Sequence, residues 1–166
     1  MVSYREASVT DDAALALLTE YFSSRAESFP VTMGQYRTTF PTRGDFESPR
    51  GVFLIVEGED LAGEPADVGC GGIRLLDHSA GVTRFEVKHL WLQPHVRGFG
   101  LGHELLDELE ARARAFGASE IVLDTNEAQA AAASLYRGSG YVEIPAYNDN
   151  ANATHWFAKN LTTELE

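Results

Sequence analysis

The sequence predicts a mixed α/β fold, a central sheet of parallel and antiparallel strands flanked by helices. Three observations predict it. Strand-like segments come in a run between Gly51 and Leu92, then alternate with helical patterns. One strand leads straight into a glycine-rich turn and the most regular helix of the chain, Gly100–Phe116. Runs of strands beside strand–helix alternation favour a mixed over a wholly parallel sheet.

The elements are read in order as β-α-(α)-β-β-β-α-β-α-β-β. Val2–Ser8 alternates weakly and reads as a first strand. Thr10 is an expected N-cap, and Asp11 and Asp12 suit the positive end of a helix to about Arg25, with Leu15, Leu18 and Phe22 at helical spacing. A short helix is expected around Thr32–Thr39. Gly51–Glu57 is a continuous β-branched run, the mark of a strand buried on both faces. Gly58–Pro65 is turn-like and Val68–Leu76 reads as the second arm of a hairpin. The loop Asp77–Gly81 leads to the strand Thr83–Leu92, where Phe85, Val87 and Leu90 share no strict face, so a β-bulge is expected.

In Gly100–Phe116 the apolar stripe is Leu105, Leu106, Leu109, Ala113 and Phe116. Glu108–Arg112 and Glu110–Arg114 are favourable i,i+4 pairs, and Gly117 suits the left-handed stop. Glu120–Asp124 reads as a buried strand and Ala128–Arg137 as a helix closed by Gly138 and Gly140. Tyr141–Tyr147 and Thr154–Asn160 are the last strands, around an Asn-rich loop.

With 166 residues, 44% hydrophobic and 23% charged, the chain is expected to form one globular domain over 1–166. Cys70 is the sole cysteine, which suits a reducing compartment, and no Cys/His cluster has zinc-ligand spacing, so no metal is expected. The first residues carry no signal-peptide order, and no apolar run approaches the roughly 20 residues of a membrane span, so the expected location is cytoplasmic, without a membrane partner. Acidic residues outnumber Lys plus Arg by 25 to 13, for a net charge of −12. That balance argues against nucleic-acid binding and is compatible with an amine substrate. A homodimer is left open.

The chemistry is expected in Leu90–Gly102. The first amides of a helix lack internal partners and, with the helix dipole, form an anion site. Gly98, Gly100 and Gly102 let an anion approach the backbone, and Arg97 adds a charged fork. The Gly-Lys-[Ser/Thr] ending of a Walker A loop is absent, and the spacing is not that of a Rossmann turn.

Arg97-Gly98-Phe99-Gly100-Leu101-Gly102 resembles R/Q-x-x-G-x-G/A, the coenzyme A diphosphate signature of the GNAT acyltransferase superfamily. The resemblance continues through Leu105-Leu106, Asp124-Thr125 and Leu135-Tyr136-Arg137-Gly138-Ser139-Gly140-Tyr141, similar to the family's L-Y-x-x-x-G-[FY]. It is clear from Phe85 to about Leu161 and rests on element order before that.

The resemblance implies a GNAT-like acyl-CoA N-acyltransferase fold, its mixed sheet splayed between strands 4 and 5, with acetyl-coenzyme A as co-substrate. The pantetheine arm pairs with the backbone of Leu90, Trp91 and Leu92, and the diphosphate meets the amides from Gly98 to His103. Gln129 stands where family members place a pantetheine-binding asparagine, and Ala132 matches a small residue that leaves room for the cofactor. Tyr136 matches the general acid. Glu86 matches the general base and acts through a water, with His89 as its rival. The acceptor wall maps to Phe29, Tyr36 and Arg37, then Tyr147, Asn148, Asn150 and His155. The expected activity is acetyl transfer to a primary amine of a small molecule. The alternatives are a non-catalytic acyl-coenzyme A module and an acetyltransferase acting on protein N-termini or lysines.

Overall fold

The computed structural model describes residues 2–162, so residue 1 and residues 163–166 of the expected domain lie outside it. The strands are β1 (Ser3–Glu6), β2 (Gly51–Glu59), β3 (Pro65–Ser79), β4 (Val82–Leu92), β5 (Glu120–Thr125), β6 (Val142–Ile144) and β7 (His155–Asn160). The α-helices are α1 (Asp12–Ser28), α2 (Leu101–Ala115) and α3 (Ala130–Gly138). They build one sheet in the order β1-β2-β3-β4-β5-β7-β6, antiparallel except for β4 beside β5. The expected mixed sheet and element order are therefore present.

Helices cover both faces, which explains the unbroken apolar run of β2. Val52, Leu54 and Val56 cluster with Leu105, Leu106 and Leu109 of α2, while Phe53 and Ile55 pack with Ala14, Leu17, Leu18 and Phe22 of α1. Each buried aliphatic side chain contributes about 1.5–3 kcal/mol relative to exposure. The α2 stripe is placed as expected, with Phe116 stacked on Phe85 at 5.6 Å. Glu108 pairs with Arg112 at 2.8 Å. Glu110, expected to pair with Arg114, is buried and accepts from the Tyr141 hydroxyl and the Lys159 ammonium, both at 2.8 Å.

Several local expectations are corrected. Asp11, not Thr10, stands at the N-cap position of α1, its carboxylate accepting from the Ser8 N–H rather than from the helix, and the Thr10 hydroxyl bonds Ser8. Leu15 is exposed, because the buried face runs through Ala14, Leu17, Leu18 and Phe22. Instead of a helix over 32–39 there is one 3-10 turn, Val31–Met33, ended by Gly34 at φ 89°, ψ −140°, a conformation open only to glycine. Asp77–Ser79 are strand, not loop, because Asp77 pairs with Arg84 and His78 with Thr83 across the hairpin. The turn is only Ala80 and Gly81, both at positive φ, as a two-residue type I′ hairpin requires. The strand expected over Tyr141–Tyr147 is only Val142–Ile144, since Pro145 has no N–H to give the ladder.

Two features open the sheet. β4 and β5 pair only from Arg84–Glu86 to Glu120–Val122. Beyond that, β4 follows β3 to Leu92 and β5 follows β7 to Thr125, so their ends part. The expected bulge is also there. Cys70 faces Trp91 but Gly72 faces Lys88, so β4 carries one extra residue, and His89 absorbs it at φ 60°. A bulge re-aims the residues around it.

Candidate active site

The parted ends of β4 and β5 enclose a cleft of about 390 Å³, within the usual range of small-molecule sites. Its floor includes Val87–Leu90 of β4 and Leu123–Asn126 of β5. α1 contributes Tyr21, Phe22 and Arg25, and α3 contributes Tyr136. The rim comes from 29–42 on one side and from Asn148–Asn152 on the other.

Outside the cleft lining, beside α3 and the end of β4, lies the start of α2. Gly98 and Gly100 adopt φ 87° and 83°, so the turn needs glycine, and a Cβ at either would meet nothing within 4 Å. Among the described residues, the backbone amides of 98–103 donate to no protein acceptor, and the first turn closes with Glu104 N–H to Gly100 O at 3.2 Å. This is an open run of donors at a positive helix end, which fits a diphosphate. Gly102 lies against Leu135 and Leu92, so the turn abuts α3 and the end of β4.

The other expected cofactor contacts fall around it. Leu90 lines the cleft, and one edge of 90–92 pairs with β3 while the other looks into the splay. The Trp91 side chain points to the α1 face, where its indole N–H donates to Glu20. Arg97 is turned back: Nε donates to the Leu92 carbonyl at 2.8 Å and the guanidinium lies over the Trp91 ring. His103 bonds Ser139 through its ring, leaving its amide in the run of donors. Ala132 packs at the edge of the α2 core. Gln129 bridges the cleft, accepting from Arg25 at 2.8 Å and donating to Ser28 at 2.6 Å.

Tyr136 is buried on the cleft wall, between Tyr141 and Phe157 at about 6 Å each. Burial raises its pKa well above the ordinary phenol value, so it holds its proton at neutral pH. Glu86 is placed differently from a base that works through water. It is fully buried and is not on the cleft wall. Arg74 Nε donates to Oε1 at 3.0 Å with its Nη2 2.9 Å from the same oxygen, and the Tyr147 hydroxyl donates to Oε2 at 2.6 Å. Lys88 stands 3.8 Å from the same oxygen. Tyr147→Phe leaves one lone pair of this carboxylate without its donor. A stability loss of about 1–3 kcal/mol is expected, read by chemical denaturation.

His89 lines the cleft with its ring against Tyr21, Phe22 and Phe46, and its Nδ1 has no hydrogen-bond partner. Burial, then Lys88 and Arg74, lower its pKa from 6.5 to about 3. Between those values the unfolded chain binds a proton that the folded chain does not, so stability falls as pH drops through the window. The slope from this group is about 1.4 kcal/mol per pH unit. His89→Asn, which tolerates positive φ, is expected to flatten the denaturation free energy between pH 6 and 4. An unchanged slope would show that His89 is not buried neutral.

Of the expected acceptor wall, Phe29, Tyr36, Arg37, Asn148 and Asn150 line the cleft. Tyr147 instead serves Glu86, and His155 pairs with Glu143 on the outside. Sequence reasoning gave no role to three cleft groups. Asp124 presents a carboxylate whose Oδ2 accepts from Asn148 and Asn150, and Arg74 and Lys88 present cations. Although the chain is strongly acidic, Arg25, Arg37, Arg74 and Lys88 line the cleft against Asp124 and Asp149. Among the described residues no group of His, Cys, Asp and Glu could hold a metal, and no helix is long and apolar enough to cross a membrane.

The sequence model described as the Acetyltransferase (GNAT) family matches residues 13–141. A protein of Azospirillum brasilense named an IAA acetyltransferase is 41% identical over 76 residues, which span 46% of this chain and 48% of that one, so the match covers about half of that relative's length. A solved structure from Klebsiella pneumoniae, provisionally named an acyl-CoA N-acyltransferase, is 25% identical with a TM-score of 0.73, covering 97% of this chain and 98% of that one. A GNAT family acetyltransferase from Elizabethkingia anophelis, solved with acetyl-CoA bound, is 14% identical with a TM-score of 0.60 over 96% and 97% of the two chains, a likeness of fold. The splayed sheet, the open amides at the start of α2 and a family match across most of the chain converge: this chain belongs to the acetyltransferase (GNAT) family.

Proposed function

We propose that this chain transfers an acetyl group from acetyl-coenzyme A to the primary amine of a small molecule. The observation that carries the small-molecule reading is a strap over the cleft. The Arg37 N–H donates to Asn152 Oδ1 at 3.1 Å, and Asn152 Nδ2 donates back to the Arg37 carbonyl at 2.8 Å. A peptide would need an open groove between these two segments, and the reciprocal pair ties them together.

The amides of 98–103 hold the diphosphate, and the free edge of Leu90–Leu92 takes the pantetheine as an added strand. This pairing asks Arg97 to release the Leu92 carbonyl and swing toward the phosphates. Asp124 Oδ1, which carries no donor among the described residues, receives the ammonium proton. The amine nitrogen then attacks the thioester carbon, the C–S bond breaks as the departing sulfur takes the proton of the Tyr136 hydroxyl, the second proton of the attacking nitrogen passes back to the Tyr136 oxygen, and Asp124 releases the first to solvent. Glu86 touches none of the reacting atoms; it is a positioning residue that fixes Arg74 and Tyr147 beneath the site.

The test is release of free thiol from acetyl-coenzyme A with small primary amines and with peptides bearing a free N-terminus or lysine. Turnover with small amines is expected. Turnover with peptides alone would overturn the acceptor class, and cofactor binding without turnover on either set would leave a non-catalytic module. Opening the strap by Asn152→Ala is expected to raise KM for the amine several-fold with little change in KM for acetyl-coenzyme A.

A further inference from the structure

Glu86 is buried and takes two cations, although one would balance it. Arg74 holds Oε1, with Nε donating at 3.0 Å and Nη2 in ion-pair contact at 2.9 Å, and Tyr147 occupies Oε2 at 2.6 Å. The Lys88 ammonium, at 3.8 Å from Oε2, is too far to donate and makes no hydrogen bond among the described residues. Arg74, Lys88 and Glu86 together leave one positive charge. Arg74 also leans toward Asp45 at 3.9 Å, but Asp45 is bonded to Arg50 at 3.1 Å. The surplus therefore rests on Lys88, which is only 22% exposed and lines the cleft. A half-desolvated ammonium whose nearest anion is already satisfied is a built seat for a second anion.

The neighbouring wall has a definite shape. Phe22, Phe40 and Tyr36 form a run of rings, with Phe22–Phe40 centroids at 4.9 Å and Phe22–Tyr36 at 6.5 Å. His89, neutral and unpaired at Nδ1, stands beside Lys88 with its ring against Phe22 and Phe46. Across the floor, Asp124 offers the open carboxylate oxygen that suits an ammonium.

We infer that the acceptor carries, besides its amine, an aromatic or apolar body and a carboxylate, and that Lys88 with Arg74 behind it seats that carboxylate. This rests on the reading of the cleft as an acyl-acceptor site. It gives the paired charges opposite tasks: Asp124 holds the amine and Lys88 fixes the far end of the same molecule. The acidic surface of the chain is thereby separated from a cleft that prefers a zwitterion over a plain cation.

The test is calorimetric binding to the full chain with saturating coenzyme A, using 3-phenylpropanoate and its uncharged isostere 3-phenylpropanamide. The carboxylate is expected to bind at least about tenfold more tightly than the amide, as a charge-assisted contact does over a neutral one. Lys88→Gln is expected to erase that difference, and Lys88→Arg to retain most of it, which separates lost charge from lost folding. Equal binding of the two probes, no binding of either, or a preference that survives Lys88→Gln would overturn the inference. Heat from coenzyme A itself, measured first on the same sample, reports on the cofactor site independently, so failure of the carboxylate seat is distinguishable from failure of the site.

Discussion

Tyr136→Phe is expected to lower kcat about a hundredfold while KM for acetyl-coenzyme A stays within a factor of about two. The substitution removes one oxygen and keeps the ring. Contacts to Tyr141 and Phe157 persist, so the fold and the cleft wall persist with them. What is lost is the phenol that the proposed mechanism places beside the departing sulfur, held in its acid form by burial. A general acid acts in the transition state rather than on the bound thioester, so the effect belongs in kcat. Steady-state kinetics at saturating cofactor would check it, and a variant with wild-type kcat would remove Tyr136 from the acid role.

Glu110→Ala is expected to be the most damaging single change outside the cleft, at about 3–5 kcal/mol. Glu110 is 2% exposed on α2 and joins that helix to the last strands through the Tyr141 hydroxyl and the Lys159 ammonium. Truncation takes the acceptor from the buried Tyr141 phenol, removes the carboxylate facing the Lys159 ammonium, and leaves a cavity under Tyr141. Because Tyr141 follows the turn that closes α3, the loss is expected to loosen the wall that carries Tyr136. Chemical denaturation gives the number. Glu110→Gln, whose one oxygen can accept from Lys159 while its NH2 donates to the Tyr141 oxygen, is expected to recover part of the stability.

The legible parts of this protein were those written in local periodicity. The α2 stripe, the β2 run and the β4 bulge each follow from spacing, because one face or both must be buried. The glycine turn was legible for a different reason: positive φ at Gly98 and Gly100 and the need for backbone approach leave few residue choices. Long-range pairing left no such trace. Glu86 reads as a strand carboxylate near Lys88, and only the β3–β4 register brings Arg74 beside it, while Tyr147 arrives from a distant loop. The buried state of Glu86 therefore could not be read from its neighbours in sequence. The same holds for Glu110, whose helical spacing suggests Arg114 although the carboxylate lies under Tyr141 and Lys159. Net charge misled about the cleft, since a whole-chain sum says nothing of which charges a splayed sheet gathers at one place.

Calorimetric titration of the full chain with coenzyme A and, separately, with pantetheine tests the central claim most directly, because the two differ by the diphosphate and its nucleotide. The open amides at the start of α2 predict saturable binding of coenzyme A at least about a hundredfold tighter than pantetheine. Equal affinity for the two, or no saturation by coenzyme A at millimolar concentration, would contradict it.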